Sequence, residues 1–521
     1  MNIIEKTLLF LPLFLLVFSL DSMTPEAHFI KMPLFVISVL ILIGYLLISK
    51  KRLYFNFNIV FFLFIVWMII SLFWSINYKI SAVTIISWLS IFLYAGLLTA
   101  NINTNSLGRQ ILFLLAIFLF IVSAIGILQY YGWDKILKFG VLQNWEGDVI
   151  TVFGNPNFTA DFLISIVPVV LCTALETKKV IYVISGLLGL FTIFLTRSRG
   201  AELGISISLL FLIFGYRKII NKRVLIGLIA GVILVFGFNF TNISSQIKET
   251  ITDVEKGFRL LAYISTLELI KNNFNKGVGI DNFVVVYPLY DIHKKEGRYL
   301  ELKTNEAHND FLQVFAETGI IGISFFVTFL IFVFMKKGGY IYGIIALLIQ
   351  SLFNFPLQII TTQTFFYLFS LMNFKKIRIL EYNIISLFLS FILLIFLIIV
   401  YIKEEAGLVY YRLGTLYKEA NMLEKSYESY SKALKLTPYN PDLLTNLSVV
   451  CTYLKKDEEI FDLVKDAIKY SPYEDATRLN LAVELYKKGL KGEAASKVKS
   501  AYRLSPKRKQ VVEFLEYLKK Q

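Results

Sequence analysis

Apolar residues run along the first 400 positions in blocks separated by short polar turns, near residues 7–20, 33–49, 57–76, 80–99, 110–131, 157–175, 180–196, 201–215, 224–240, 319–335, 338–354, 356–374 and 383–402. Each block is roughly 14 to 22 residues long, close to the ~20 that a helix needs to cross the hydrocarbon of a bilayer. The pattern predicts an all-α fold, a polytopic membrane bundle of about 12–13 transmembrane helices. No small-residue cleavage site follows the first block, Leu8 to Leu20, so it reads as a retained helix rather than a signal peptide. One long hydrophilic stretch, residues 241–318, interrupts the series.

Beyond Glu404 the apolar blocks give way to an internal repeat. Pro438, Pro472 and Pro506 fall 34 residues apart, and the same step relates Ala433, Ala467 and Ala501, Leu413, Leu447 and Leu481, and Tyr439 and Tyr473. The spacing resembles three tetratricopeptide repeats, near 407–440, 441–474 and 475–508, each a helix pair whose small residues (Gly414, Ser448, Ala482) let the helices approach closely. The chain then divides into a membrane domain, 1–403, and a C-terminal α-solenoid, 404–521. Such repeats usually hold a peptide or protein partner in a concave groove; a rigid spacer that ends the fold is the other reading.

Composition agrees with a membrane protein, being 56% hydrophobic with 47 Phe and 29 Tyr. A net charge of +15 would suggest nucleic acid in a soluble chain. Here the basic residues gather in short turns: Lys50, Lys51, Arg52, Arg109, Lys178, Lys179, Arg217, Lys218, Lys222, Arg223, Lys336, Lys337, Lys375, Lys376 and Arg378 all fall on one side if the blocks alternate. That side is cytoplasmic by the positive-inside rule, and no nucleic acid partner is expected. Alternation then places loop 241–318 and, after thirteen crossings, the C-terminal repeats outside the cytoplasm. Two cysteines, Cys172 and Cys451, supply neither a disulfide framework nor a thiolate metal site.

Four polar groups stand out against this background. Gly154, Asn155, Pro156 and Asn157 open the sixth block, where Pro156 favours a turn and the asparagines can cap a helix. Arg197 and Arg199 lie in a turn on the outer side, against the charge bias, and guanidinium groups there suit a diphosphate; pairing with Glu202 or with lipid headgroups is the plainer reading. In the long loop Val254, Phe258, Leu261, Ile264, Leu267, Ile270 and Phe274 recur at helical spacing, predicting an amphipathic helix along the membrane surface with Arg259 off the stripe, beside Tyr263 and Thr266. Finally, HNDFLQVFAETG, residues 308–319, suggests a helix from about Glu306 to Thr318, capped by Asn305 and stopped by Gly319, with His308 in its first turn. The helix N-terminus and nearby arginines would keep this imidazole neutral and able to accept a proton. Glu301, Glu306, His308 and Asp310 are close in sequence but lack paired-histidine spacing, so no metal is expected.

The segment from His308 to Gly319, the GNPN turn before a helix carrying Pro168, and the series Arg259, Gly277, Gly279, Phe283 resemble the O-antigen ligase and polymerase superfamily over about residues 150–370. The resemblance implies a multi-pass enzyme of the bacterial cell (inner) membrane that moves a glycan from a polyprenyl diphosphate carrier to a glycan, lipid or protein acceptor, without metal or other cofactor. It implies His308 and Arg259 as catalytic, Arg197, Arg199 and Arg259 on the diphosphate, and Asn155, Asn157, Asn309 and Asp310 in support. Ligases, polymerases and protein glycosylating transferases share these motifs, and the repeat tail departs from the plain ligase pattern. Two non-enzymatic readings fit the helices as well: a lipid-glycan transporter, which should show paired repeats or helices broken at midplane, and a membrane scaffold that acts through its repeats.

Overall fold

A computed structural model describes residues 3–19, 28–49, 54–102, 105–133, 149–217, 254–297, 304–336, 338–372, 374, 376–378 and 384–520. In chain order the helices are α1 (Ile3–Phe18), α2 (His28–Ile48), α3 (Ile59–Ile70), α4 (Tyr78–Ile102), α5 (Asn105–Tyr130), α6 (Pro156–Thr177), α7 (Val180–Leu195), α8 (Arg199–Tyr216), α9 (Val254–Asn272), α10 (Phe283–Val286), α11 (Ile292–Glu296), α12 (Asp310–Phe334), α13 (Ile341–Gln350), α14 (Ile360–Leu371) and α15 (Ile384–Glu419). The repeats add α16 (Leu423–Leu436), α17 (Pro441–Tyr453), α18 (Asp457–Tyr470), α19 (Asp475–Lys487), α20 (Lys491–Leu504) and α21 (Lys509–Lys520). A single short ladder, β1 (Tyr54–Asn56) antiparallel to β2 (Lys376–Arg378), is the described exception to an all-α chain.

Among the described residues five helices are long and apolar enough to cross a membrane: Tyr78–Ala100, Gly108–Tyr130, Pro156–Thr177, Arg199–Tyr216 and Asp310–Phe334. Four more apolar helices are shorter, and the block at 224–240 lies outside the described residues. Helix α6 is the centre of the bundle, with 94% of its most apolar window buried. Around it, Ile184, Leu187, Phe191, Leu210 and Phe211 point outward and exposed. An apolar belt of this kind is stable in lipid and costly in water. The chain is a multi-pass membrane protein.

The ends that the alternation puts together do meet. At one face β1 pairs with β2, and Cys172 Sγ at the end of α6 donates to Tyr216 Oη at the end of α8 (3.1 Å). At the other, Asn77 N donates to Asn282 Oδ1 (2.9 Å), Trp67 Nε1 to the Thr318 carbonyl (2.8 Å), and Ser198 Oγ to Asn157 Oδ1 (2.9 Å). The repeats pack on this second face, where Asn77 Nδ2 donates to the Tyr439 carbonyl (3.2 Å) and Lys79 lies over the Tyr439 ring.

Three local expectations change. Asn309, not Asn305, caps α12, accepting from Leu312 N at 3.0 Å, so the helix begins at Asp310 and His308 stands before it with φ +52°. Gly319 does not end the helix but breaks it, with φ 65° and ψ −170°, and the chain resumes as the membrane span. The stripe on α9 is split: Ile270 turns into the protein while Ile264, Leu267 and Phe274 are exposed, because the helix packs on α12 as well as presenting an apolar side outward.

The break at Gly319 receives the turn at Gly277. Val278 N donates to the Ala316 carbonyl (3.0 Å), Gly279 N to Glu317 (2.9 Å) and Ile320 N to Phe274 (2.8 Å), so each segment satisfies the amides the other frees. A Cβ on Gly277 would strike the Glu317 carbonyl, and one on Gly319 the Asn275 carbonyl, both at positive φ. Gly277→Ala and Gly319→Ala are each expected to destabilise the fold by about 2 kcal/mol or more, measurable as a lower midpoint of thermal unfolding in detergent.

The C-terminal helices form three pairs, the second helix of each ending at the predicted prolines, with α21 closing the stack. Gly414 lies against the Tyr430 ring, where a Cβ has no room. The expected boundary at 403/404 falls inside α15, a single helix of 36 residues that leads from the last apolar block into the first repeat.

Candidate functional site

The segment 350–358, Gln-Ser-Leu-Phe-Asn-Phe-Pro-Leu-Gln, is the hub of the polar face. Sequence periodicity reads it as the junction of two spans, but α13 stops at Gln350 and α14 starts at Ile360. Backbone that leaves the helix must find other partners; local turn bonds such as Asn354 N to the Gln350 carbonyl (2.9 Å) and Gln358 N to Phe355 (3.0 Å) supply most of them, and a carboxylate supplies the one for Leu357. Asp310, fully buried, accepts from Ser351 Oγ (2.8 Å), Leu357 N (3.0 Å) and Gln358 Nε2 (3.4 Å), while its own amide donates to the Ser351 carbonyl (2.9 Å). Asn309 Nδ2 adds a bond to the Leu352 carbonyl (3.1 Å). These two residues therefore hold the segment in place.

His308 lies half-buried beside it. Its ring meets Phe355 edge-on, centroids 5.4 Å apart, and its carbonyl accepts from Tyr263 Oη at 3.0 Å. Burial, then the charge of Arg259, lowers the imidazole from its usual 6.5 to about 4. Arg259 is exposed on α9, one turn before Tyr263, and also counteracts the rise that burial imposes on the Tyr263 phenol. Arginine and histidine, 49 positions apart in sequence, share one electrostatic neighbourhood.

Across the hub stand the other motifs. Phe355 contacts Phe158 (centroids 6.1 Å), the residue after the GNPN turn. Asn155 caps α6 by accepting from Asn157 N (2.8 Å), and the Asn157 carboxamide accepts from Ser198, between Arg197 and Arg199. Both arginines are exposed, Arg197 at φ +57° and Arg199 at the first turn of α8. Gly200 presses against Gln350, whose Nε2 donates to Asp161 Oδ1 (2.7 Å) on α6. Contacts thus run from Tyr263 through His308 and Phe355 to Phe158, with Arg259 one turn from Tyr263 at one end and, at the other, Asn157 holding Ser198 between Arg197 and Arg199.

The segment containing most of this line matches a known family. Residues 184–327 match the family model described as O-antigen ligase. The chain carries an O-antigen ligase domain. The match takes in Arg197, Arg199, Arg259, His308, Asn309 and Asp310, and stops short of the GNPN turn and of the repeats. No curated protein matches the chain. Among solved structures it is similar to the first tetratricopeptide repeat domain of Spaghetti (RPAP3) bound to an HSP90 peptide, at 19% identity over 22% of this chain and 93% of that one, TM-score 0.22. It is also similar to the APC/C hetero-tetramer Cut9-Hcn1, at 13% identity over 94% of this chain and 83% of that one, TM-score 0.20. The match over residues 184–327 indicates a ligase-like or glycosyltransferase-like enzyme.

Several site residues were not singled out by the sequence. Ser351 and Gln358 sit in two apolar blocks with Phe355 at their junction, and their only signal was the polar letters and Pro356 that interrupt the run. Asp161 on α6 was legible merely as a carboxylate inside a span.

Proposed function

We propose that the O-antigen ligase domain transfers a glycan from a polyprenyl diphosphate carrier to an acceptor hydroxyl of a glycan, lipid or protein, on the extracytoplasmic face of a bacterial inner membrane. The charge bias of the turns supports that orientation, since the face bearing the polar line is the one poor in short basic turns. The observation that carries the reading is the placement of His308 on the polar face, bonded through its carbonyl to Tyr263 one turn from Arg259, where burial favours the uncharged imidazole.

In this mechanism the acceptor oxygen attacks the anomeric carbon as the bond to the diphosphate oxygen breaks, with inversion. The bonding pair leaves on the phosphate and the acceptor proton passes to His308. Arg259, Arg197 and Arg199 neutralise the charge that grows on the diphosphate, which needs no strong acid because it already leaves well. Asn309 and Asp310 fix the turn that presents His308, Asn157 holds Ser198 in the turn that presents Arg197 and Arg199, and Asn155 caps the helix on which Asn157 sits. No metal takes part. A bound diphosphate also offsets Arg259, raising the imidazole toward its ordinary value and making it a stronger base once the donor is seated. The groove between the second and third repeats, lined by Ser448, Tyr453, Asn480 and Glu484, suits a protein acceptor or partner.

Purified full-length protein in lipid nanodiscs, given a polyprenyl diphosphate-linked oligosaccharide and an acceptor, should release polyprenyl diphosphate and extend the acceptor in the presence of chelator. Absence of any transfer with donors of several glycan types would sink the proposal. The pH profile gives a sharper test. His308 works as the neutral form, so activity is lost as pH falls through its pKa; in kcat/KM, which reports the free enzyme, that limb should lie near 4, and in kcat it should lie higher. The sign for stability is the same: between 6.5 and about 4 the unfolded chain binds a proton the folded one refuses, so His308 weakens the fold as pH falls across that window.

A further inference from the structure

The loop and the repeats are joined by a buried ion cluster that the transfer chemistry does not use. Lys294 Nζ on α11 lies 2.9 Å from Asp475 Oδ1 and 3.0 Å from Glu474 Oε1, and Arg508 Nη1 lies 2.9 Å from Asp475 Oδ2. The Lys294 side chain is 5% exposed and that of Asp475 0%. Burial alone would lower the ammonium and raise the carboxylate, but the opposite charges prevail, leaving Lys294 above and Asp475 below their ordinary values. Because desolvation offsets most of the attraction in such a cluster, its main effect is to fix a geometry.

That geometry leads to the site. Two residues before Lys294, Ile292 N donates to Ser265 Oγ (3.1 Å) on α9, the helix that carries Arg259 and Tyr263. Tyr473, at the turn into the third repeat, packs on the loop cluster formed by Leu269, Ile270, Phe283 and Ala307, the last of these adjoining His308. Lys507 Nζ adds a bond to the Glu296 carbonyl (3.0 Å). The repeats thus hold α11 directly and α9 through Ser265 and the apolar cluster under Tyr473.

We propose that Lys294, Asp475 and Arg508 are positioning residues through which the repeats hold α9 so that Arg259 faces the donor diphosphate. This rests on the role given to Arg259 above, and the test separates the two. Undecaprenyl diphosphate, the headgroup without sugar, is titrated onto the purified full chain in nanodiscs. Arg259→Ala and Lys294→Met should each weaken binding about tenfold or more, and Lys294→Arg should stay within about threefold of the parent. The double variant should bind no more weakly than Arg259→Ala alone, since the cluster acts through that arginine. Amides of residues 259–270 should exchange faster in Lys294→Met. Should Lys294→Met fail to fold, Arg508→Gln at the 14% exposed edge of the cluster reads the same binding and the same exchange. Normal binding by Lys294→Met, or losses that add fully in the double variant, would overturn the positioning role and leave the reading of Arg259 intact. Normal binding by Arg259→Ala would overturn both.

Discussion

Replacing His308 with alanine should lower the rate of glycan transfer by about 10²–10⁴-fold while donor binding stays within a few-fold of the parent. An acceptor hydroxyl keeps its proton at neutral pH, so without a base it attacks poorly whatever the leaving group. The side chain can be removed with modest structural cost, because His308 precedes the cap of α12 and the contacts that fix the turn come from Asn309 and Asp310. Its carbonyl, which accepts from Tyr263, survives the substitution. The measurement is initial rate at saturating donor together with the donor Kd. A transfer rate within about threefold of the parent would remove His308 from the mechanism, and a matching collapse of thermal stability would move it to a structural role.

Arg259→Ala should cost about 10²–10³-fold in transfer, the scale of removing one oriented charge from a developing anion. Unlike the histidine change, the loss should appear in donor affinity as well as turnover, since the diphosphate is charged before and after the bond breaks. Arg259→Lys should recover only part of it, because an ammonium cannot grip two phosphate oxygens at once. The same variant carries an internal check. Arg259 is the charge that helps hold His308 down to about 4, so its removal should move the acid limb of kcat/KM upward, toward the usual 6.5. A limb that stays in place would mean the two side chains do not communicate. Arg197 and Arg199, exposed at the far end of the same line of contacts, should show the affinity loss without moving the limb.

Much of this was legible in the sequence because membranes enforce simple rules. Apolar blocks marked the five spans and four shorter apolar helices among the described residues, and alternation put the turns holding Tyr54–Asn56 and Lys376–Arg378 on one side and the GNPN turn and Ser198 on the other, without foreseeing that each pair would touch. The 34-residue step gave the repeat helices with their glycine contact at Tyr430. What periodicity missed was where helices stop. The blocks 338–354 and 356–374 put a junction at residue 355, yet the helices leave off at Gln350 and resume at Ile360; Asp310, some forty positions earlier, holds the wider gap through Ser351 and Leu357, and no local propensity records a distant carboxylate. The placement of His308 failed for a related reason: Asn305 and Asn309 are both good caps, and only tertiary contact with Leu352 chooses between them. The docking of the repeats on the loop was likewise invisible, since Lys294 and Asp475 read as ordinary surface residues until the fold covers them.

Helix α15 gives the two halves of the molecule a fixed phase. Its 36 residues run about 54 Å without interruption, and each added residue of an α-helix rotates the chain beyond it by about 100°. The azimuth at which the first repeat leaves the bilayer is therefore set by a count of residues, as the angle of a key is set by its shank. Drift by a single insertion or deletion there would rotate the solenoid off its seat without altering any residue that touches the seat, so the length of that helix is itself a determinant of the domain arrangement.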